Sequence, residues 1–489
     1  MIKTPKSIAV VGGGTAGFVS ALILKKKFPR MEISIIRSSK IGIIGVGEGS
    51  TEHWKNFLNF LEIDHKVMIK ECDATLKCGI MFKDWNTNND YLHSIQVEYN
   101  QKFGQYSHVY ANLIGQGKDP KSLGSPLCWK SQINRWFIDN PDHSPTSQFH
   151  FNTNKLNDWL TRLARSYDIA VVDDEILDIT IGENGDIVSL QGNKSNYTFD
   201  FYIDSTGFKK LLISKLGAKW QSYSKFLKMK SAIVFPTGDE ENYNVFTLAK
   251  AMDYGWMFRI PVWGRYGNGY IYDSDYINQD QAKLEAERYL GYKVEVAKKI
   301  DFDPGALDKV WINNCVAIGL SASFVEPLEA SSIGTSLQQA FLLMYRIVNY
   351  DQKIIDSYNK DCNSILENIR DFVALHYYVN RESSNFWKDL KQIQIPDKLK
   401  DKLDIWKHRL PISEDFNGES RYILFSEDHH IMVLHGIGHF DSDSIRREFE
   451  LHHDGLKIES DKILAENSLQ HDTIARITHK EYIRHYRNA

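Results

Sequence analysis

A short apolar run, Ser7-Ile-Ala-Val-Val11, leads straight into Gly12-Gly13-Gly14-Thr15-Ala16-Gly17, and few sequence features restrict a fold as much. A helix-sized stretch, Phe18 to Phe28, follows, and then a second apolar run, Met31 to Ile36. In this strand–turn–helix–strand context the glycines have separate tasks. Gly12 makes the tight turn, Gly14 lets the backbone approach a pyrophosphate, and Gly17 lets helix and strand pack closely. The helix N-terminus meets the phosphates with free N–H groups and a partial positive charge. Gly12, Gly14, Thr15, Ala16 and Gly17 are thus candidate cofactor-binding residues in a Rossmann-like α/β core.

Which dinucleotide binds is a separate question. An acidic residue usually ends the second strand, about 20 residues past the glycines, and holds the ribose hydroxyls. Arg37 stands there instead. It suits the 2′-phosphate of an NADP-type ligand, or an FAD with Arg37 over the adenine or facing solvent. The later segment Phe201-Tyr-Ile-Asp-Ser-Thr-Gly-Phe208 favours FAD. It brings a second apolar strand back to the cofactor and adds Gly207 to the candidates, which a simple NAD(P) dehydrogenase does not need.

Composition excludes several function classes. The 489 residues carry a net charge of −4, with 42% apolar and 25% charged residues, which is ordinary for a globular enzyme and gives no electrostatic basis for binding nucleic acid. Five cysteines without a CxxC pair suit a reducing compartment and argue against a disulfide framework or thiolate zinc site. Lys3 and Lys6 precede an apolar run in the manner of a signal peptide, but the glycine cluster inside it and Lys25-Lys26-Lys27 after it oppose that reading. No uninterrupted apolar stretch reaches membrane-spanning length. The expectation is a cytoplasmic protein without a membrane partner, with a homo-oligomer left open.

The chain reads as interleaved. One module is expected from 1–84, 150–215 and 300–380, and an aromatic-rich module from 85–149, 216–299 and 381–489. Val171 to Leu190 alternates about Glu183-Asn-Gly-Asp186 and reads as a hairpin, and residues 336–350 and 360–380 read as helices. The tail from Ser384, rich in aromatics and histidine, is the least legible part.

Four segments resemble the flavin-dependent halogenases of the tryptophan-halogenase type. They are the glycine fingerprint followed by Ile44-Gly-Val-Gly-Glu-Gly-Ser50, then Ala74-Thr-Leu-Lys-Cys-Gly-Ile80, then Gly255-Trp-Met-Phe-Arg-Ile-Pro261, and lastly Ala317-Ile-Gly-Leu-Ser-Ala-Ser-Phe-Val-Glu-Pro-Leu-Glu-Ala-Ser-Ser332. The helix-like Ile369-Arg-Asp-Phe-Val-Ala-Leu-His-Tyr-Tyr378 is also similar. The resemblance implies an α/β fold, α+β overall, with a flavin-monooxygenase-type FAD module and an interleaved substrate module. It implies FAD, delivered as FADH2 by a separate flavin reductase, together with O2 and a halide ion. In that chemistry a halide is oxidised beside the flavin to hypohalous acid, which is relayed through an internal tunnel to a lysine.

Residue by residue, the resemblance makes Lys77 the catalytic lysine and Glu329 the catalytic carboxylate. Gly45, Val46, Gly47 and Glu48 belong to the flavin strap, with Gly319 also at the cofactor. The backbone amides of Ser331 and Ser332 are the halide donors, where the family more often has Thr-Gly or Ser-Thr. Trp256, Phe258 and Pro261 match a Trp-x-Trp-x-Ile-Pro signature that keeps substrate away from the activated flavin, with Phe258 replacing the second Trp. The substrate class is an electron-rich aromatic: an indole, phenol or pyrrole. Phe103, Tyr106, His108, Tyr110, Trp129, Trp136, Trp387 and Trp406 are its unranked candidate contacts. His429, His430, His435 and His439 invite a metal reading, but ligand-spaced Cys or carboxylate partners are missing, so no metal is expected. Two other readings stay open: a flavin-dependent aromatic monooxygenase, and a non-catalytic flavin-binding protein.

Overall fold

A computed structural model describes residues 2–42, 48–86, 90–94, 107–117, 126–473 and 475–488. Its centre is the sheet that the fingerprint demands. Six strands run in the order Trp311–Ile312, Cys315–Ala317, Phe201–Asp204, Ser7–Val11, Glu32–Arg37 and Ala170–Asp173. All pairings are parallel except the terminal hairpin at 311–317. Ile8, Ala9 and Val10 have no exposed surface, as a strand covered on both faces requires.

The helix Thr15–Lys27 buries Gly17 to Leu24 and ends in Lys25, Lys26 and Lys27, whose charges complement the negative end of its dipole. A Cβ on Gly17 would lie 2.3 Å from the Gly12 carbonyl oxygen and 3.3 Å from Cγ1 of Val10, so only glycine lets helix and strand meet here. Gly12 adopts φ +120, and a Cβ on it would sit 2.1 Å from the Ser205 carbonyl oxygen.

A seven-stranded sheet forms the second layer, in the order Lys298–Asp301, Ser231–Thr237, Arg265–Tyr272, Gly255–Val262, Thr247–Met252, Gly79–Lys83 and Tyr91–Ser94. Between the layers lies a small sheet in which Gln148–Phe151 pairs with Glu48–Gly49 on one edge and Thr75–Lys77 on the other. Glu48 and Lys77 are thereby carried on the two strands that flank Gln148–Phe151.

Two sequence readings shift. The alternation from Val171 divides: Ala170–Asp173 is the edge strand of the parallel sheet, and the hairpin proper joins Ile176–Ile181 to Ile187–Gly192. The two expected helices are Ser331–Arg346 and Gln352–His376, the second capped by the Asp351 carboxylate accepting from the Ile354 N–H at 3.0 Å. The obscure tail is mostly helical. Its strand Arg476–Thr478 pairs with Gln132–Asn134, and its last helix, His479–Asn488, starts with a buried histidine.

Asp204 ties the core together. Its Oδ1 accepts from the Thr206 N–H at 3.0 Å, the Thr206 hydroxyl at 2.7 Å and the Ser321 hydroxyl at 3.1 Å. Its Oδ2 accepts from the Leu212 and Ile213 N–H groups at 2.8 and 2.9 Å. Removing a buried acceptor strands its donors, each at a cost of about 1–3 kcal/mol. Asp204→Ala is expected to lower the stability of the folded chain by about 3 kcal/mol or more, read as a lower urea midpoint with an unchanged slope.

Candidate active site

Three returns of the chain build one cradle at the C-terminal ends of the parallel strands. Gly14 is the N-cap of the fingerprint helix, and a Cβ on it would meet nothing within 4 Å. The backbone there is open to a ligand, while the first-turn N–H groups of Thr15 and Ala16 lack helical acceptors. Gly207 and Gly319 both adopt positive φ, +68 and +70, and the Ser321 hydroxyl bridges to the Gly207 carbonyl at 3.3 Å. Gly319 donates its N–H to Gln339 Oε1 at 2.9 Å. An open glycine backbone at a helix N-terminus fits a dinucleotide phosphate. Gly45, Val46 and Gly47 lie outside the described residues.

Arg37 is committed to the protein. Its guanidinium donates to Asn157 Oδ1 at 3.2 Å and Thr161 Oγ1 at 3.3 Å, and stands 5.8 Å from the Phe18 ring centre. Asn157 in turn donates to the Gly13 carbonyl at 2.6 Å. Glu48 is pushed up to about 7 by burial.

Lys77 is fully buried. Its strand is held on one side by Gln148–Phe151 and on the other by the chain terminus: the Leu76 N–H donates to Nε2 of His479 at 2.9 Å, and His479 Nδ1 faces the Asn244 carbonyl at 3.0 Å. Burial pushes His479 down to about 4, which keeps that acceptor nitrogen unprotonated. The Lys77 ammonium donates to the Ser50 carbonyl at 2.9 Å. Burial pushes the Lys77 amine down to about 8, against the opposing pull of Glu329 and Glu52. A buried amine of that kind has a substantial neutral, nucleophilic fraction at mildly alkaline pH.

Gly49 separates Lys77 from the second key segment. A Cβ on Gly49 would lie 3.3 Å from the Ala330 Cβ and 3.5 Å from Cδ of Lys77. Ala330 adopts φ +52 and is the N-cap of the helix Ser331–Arg346, where it offers no side-chain acceptor. Ser331 and Ser332 form the first turn of that 16-residue helix, and their hydroxyls lie beside N–H groups that have no helical acceptor. An uncapped helix start next to a buried amine is an electropositive corner.

Glu329 is 1% exposed. Its Oε2 accepts from Nδ1 of His93 at 2.8 Å, and its Oε1 lies 2.8 Å from Nε2 of His376. Burial alone would raise this carboxyl, but the two imidazoles outweigh burial and hold it well below the usual carboxylate range.

Trp256, Phe258 and Pro261 lie on the strand Gly255–Val262 and are all buried. The Trp256 and Phe258 rings are 6.2 Å apart, and the Pro261 carbonyl accepts from the Thr75 hydroxyl at 2.7 Å. The aromatic strand is therefore bonded to the strand that carries Lys77.

The segments singled out in the sequence thus converge, whereas the aromatic candidates scatter. Trp387 and Trp406 are core residues whose indole N–H groups donate to the Met252 carbonyl and Asp415 Oδ2 at 2.7 and 2.8 Å. Tyr110 sits in a separate core with Ile431 and Ile445, and Trp136 stacks on His143 near the surface. Phe103 and Tyr106 lie outside the described residues. The tail histidines also part company: His430 faces the Ser426 carbonyl, His439 the Leu403 carbonyl, and His429 reaches this site. Among the described residues no group of three or more His, Cys, Asp or Glu is arranged to hold a metal, and no helix is long and apolar enough to cross a membrane. Ser50 and His376 lie in segments that the resemblance covers but carry no role there, and His93 and Glu52 carry none either, because each gains its neighbours only by folding.

Comparison with known proteins identifies the family and the fold. The family described as tryptophan halogenase matches residues 7–447. The tryptophan 6-halogenase SttH of Streptomyces toxytricini is 28% identical over 452 residues, covering 84% of this chain and 86% of its own. The 7-chloro-L-tryptophan 6-halogenase KtzR of Kutzneria sp. (strain 744) is 30% identical over 453 residues, covering 83% and 86%. Xcc4156, a flavin-dependent halogenase from Xanthomonas campestris, superposes with a TM-score of 0.83 at 26% identity, over 99% of each chain. The chain therefore belongs to the tryptophan halogenase family, FADH2-dependent enzymes that use oxygen and a halide and draw their reduced flavin from a separate reductase.

Proposed function

We propose that this chain halogenates an electron-rich aromatic ring of the indole, phenol or pyrrole class through Lys77. The observation that carries the reading is the buried Lys77 side chain lying, across Gly49, from Ala330, the N-cap of the uncapped helix that begins at Ser331. FAD would be held by Gly12, Gly14, Thr15, Ala16 and Gly17, with Gly207, Gly319, Arg37 and the strap from Gly45 to Glu48 around it. When bound as FADH2 it supplies the two electrons that, with oxygen, turn a halide into hypohalous acid. Residues 1–84, 150–215 and 300–380 make this flavin-holding part; the remainder holds the substrate.

The protein's own groups then act in sequence. The amides of Ser331 and Ser332 hold the halide, as a helix start holds an anion. The neutral Lys77 amine takes the halogen from hypohalous acid, with loss of water, and presents it to the ring. A new C–X bond forms as the N–X bond breaks, and Glu329 takes the ring proton and returns it to the nitrogen that lost the halogen, which restores the neutral amine. Trp256, Phe258 and Pro261 fill the wall that keeps the organic substrate from the flavin. Phe258 keeps apolar bulk there, although it lacks an indole N–H.

A product screen by mass spectrometry tests the reading. Purified protein receives FAD, a flavin reductase, NADH, oxygen and chloride, bromide or iodide in separate reactions, with indoles and phenols as substrates. Halogenated product that disappears in Lys77→Ala is expected. Hydroxylated product without halogen would replace the reading by aromatic monooxygenation. Glu329→Gln is expected to slow turnover by at least about 100-fold with flavin binding intact.

The lysine adds a pH dependence. Because burial places the Lys77 amine at about 8 rather than 10.5, its neutral fraction grows as pH rises through 8. Single-turnover halogenation should therefore climb between about pH 7 and 9, and a flat profile across that range would show that the neutral amine is not the reacting form.

A further inference from the structure

Glu329 is held by more than two contacts. His93 approaches one carboxylate oxygen through Nδ1 and His376 the other through Nε2, both at 2.8 Å, and neither ring has exposed surface. The far nitrogen of each ring is occupied as well. His93 Nε2 lies 2.8 Å from Nδ1 of His429, and His376 Nδ1 lies 2.9 Å from the Tyr91 hydroxyl. An imidazole carries one proton when neutral, and the bond at one nitrogen decides which nitrogen holds it. An ionised Glu329 can only accept, which selects the tautomer with the His93 proton on Nδ1 and leaves its Nε2 to accept from His429. The Tyr91 hydroxyl at Nδ1 of His376 likewise leaves the ring proton on Nε2, 2.8 Å from the carboxylate but off the line of a hydrogen bond.

The outer donors are themselves fixed. Burial pushes the Tyr91 hydroxyl well above its ordinary value, so it stays a donor, and pushes His429 down to about 4, so it stays a neutral ring with one N–H to give. Phe82 stacks on His376 at 4.5 Å and on Tyr91 at 4.6 Å, so the rings cannot turn independently. Trp85 donates its indole N–H to the His376 carbonyl, which pins the end of the helix Gln352–His376.

We propose that His93 and His376, with their protons directed inward by His429 and Tyr91, form an imidazole clamp that positions Glu329 and keeps it a carboxylate throughout the catalytic range. His93 and His376 are positioning residues; they act through Glu329. The assignment rests on the reading of Glu329 as the acceptor of the ring proton. It explains how a carboxylate and an amine share one buried site without collapsing into an ion pair: Glu329 spends its oxygens on the imidazoles, and Lys77 donates to Ser50. The titratable groups that face this corner are Lys77 and Glu52 from the strap side, His93 and Tyr91 from their strand, His376 from its helix and His429 from the tail.

Infrared spectroscopy reads the clamp without reference to activity. The carboxylic-acid C=O band of Glu329, identified by its loss in Glu329→Gln, is followed in the full-length protein from about pH 5 to pH 9. Wild type is expected to show no such band at about pH 6. In His93→Leu/His376→Leu, burial is no longer opposed, and the band should appear there and titrate at or above neutrality. His93→Asn, paired with intact His376, returns an N–H to the place of Nδ1 and should abolish the band again. If the double variant does not fold, by circular dichroism and flavin titration, the single leucine variants replace it. The absence of the band in the folded leucine variants would overturn the clamp, as would its presence in wild type. Halogenation in those variants should fall most at the acid end of the pH range. Should the band behave as expected while Glu329→Gln halogenates normally, the clamp stands and the catalytic role of Glu329 falls.

Discussion

The removal of water from one amine governs this molecule. A lysine in water is an ammonium with little nucleophilic character; burial brings the Lys77 amine down to about 8. That demand explains a good deal of the architecture. A three-stranded sheet is built between two larger ones, the strap passes over the lysine at Gly49, and a histidine from the last helix seals the free side of its strand. None of these elements is needed to fold a dinucleotide-binding core, and each excludes solvent from the same few atoms.

Electrostatics in so dry a place must balance locally. Glu329 is tolerated because two imidazoles face it, and Lys77 because its charge is lost within an accessible pH range and its N–H is met by a carbonyl. The helix start at Ser331 and Ser332 follows the same logic with no formal charge at all. Helix-start amides beyond an alanine cap offer partial charges that require no counter-ion and that a hydroxyl or carboxylate cap would have consumed.

The residues that were legible in the chain are those tied to backbone geometry or to unusual local strings. The fingerprint read directly as strand, turn and helix because glycine is the only residue that fits against Ser205 and Val10. Lys77, Glu329 and the Ser331–Ser332 turn could be found because each lies in a distinctive run of neighbours. The meeting of His93, His376 and His429 could not, since they come from a strand, a helix end and the tail, and nothing in the chain joins them before it folds. The tail histidines invite a metal reading that the missing Cys and carboxylate partners already oppose, and the fold sends His430 and His439 to backbone carbonyls while His429 meets His93. The hairpin was drawn too long for a related reason: alternation in Val171–Asp173 is equally compatible with the exposed edge of the parallel sheet, and only pairing with Glu32–Arg37 decides between them.

His479 has a bearing on how the parts of the fold depend on one another. The backbone at Gly12, Gly207 and Gly319 is shaped by the parallel sheet and its neighbours, whereas the strand that carries Lys77 has its Leu76 N–H met by a residue 403 positions further along the chain. One hydrogen bond thus closes a loop that spans most of the molecule. Lifting the helix His479–Asn488 would loosen the lysine strand and leave the parallel sheet paired as before.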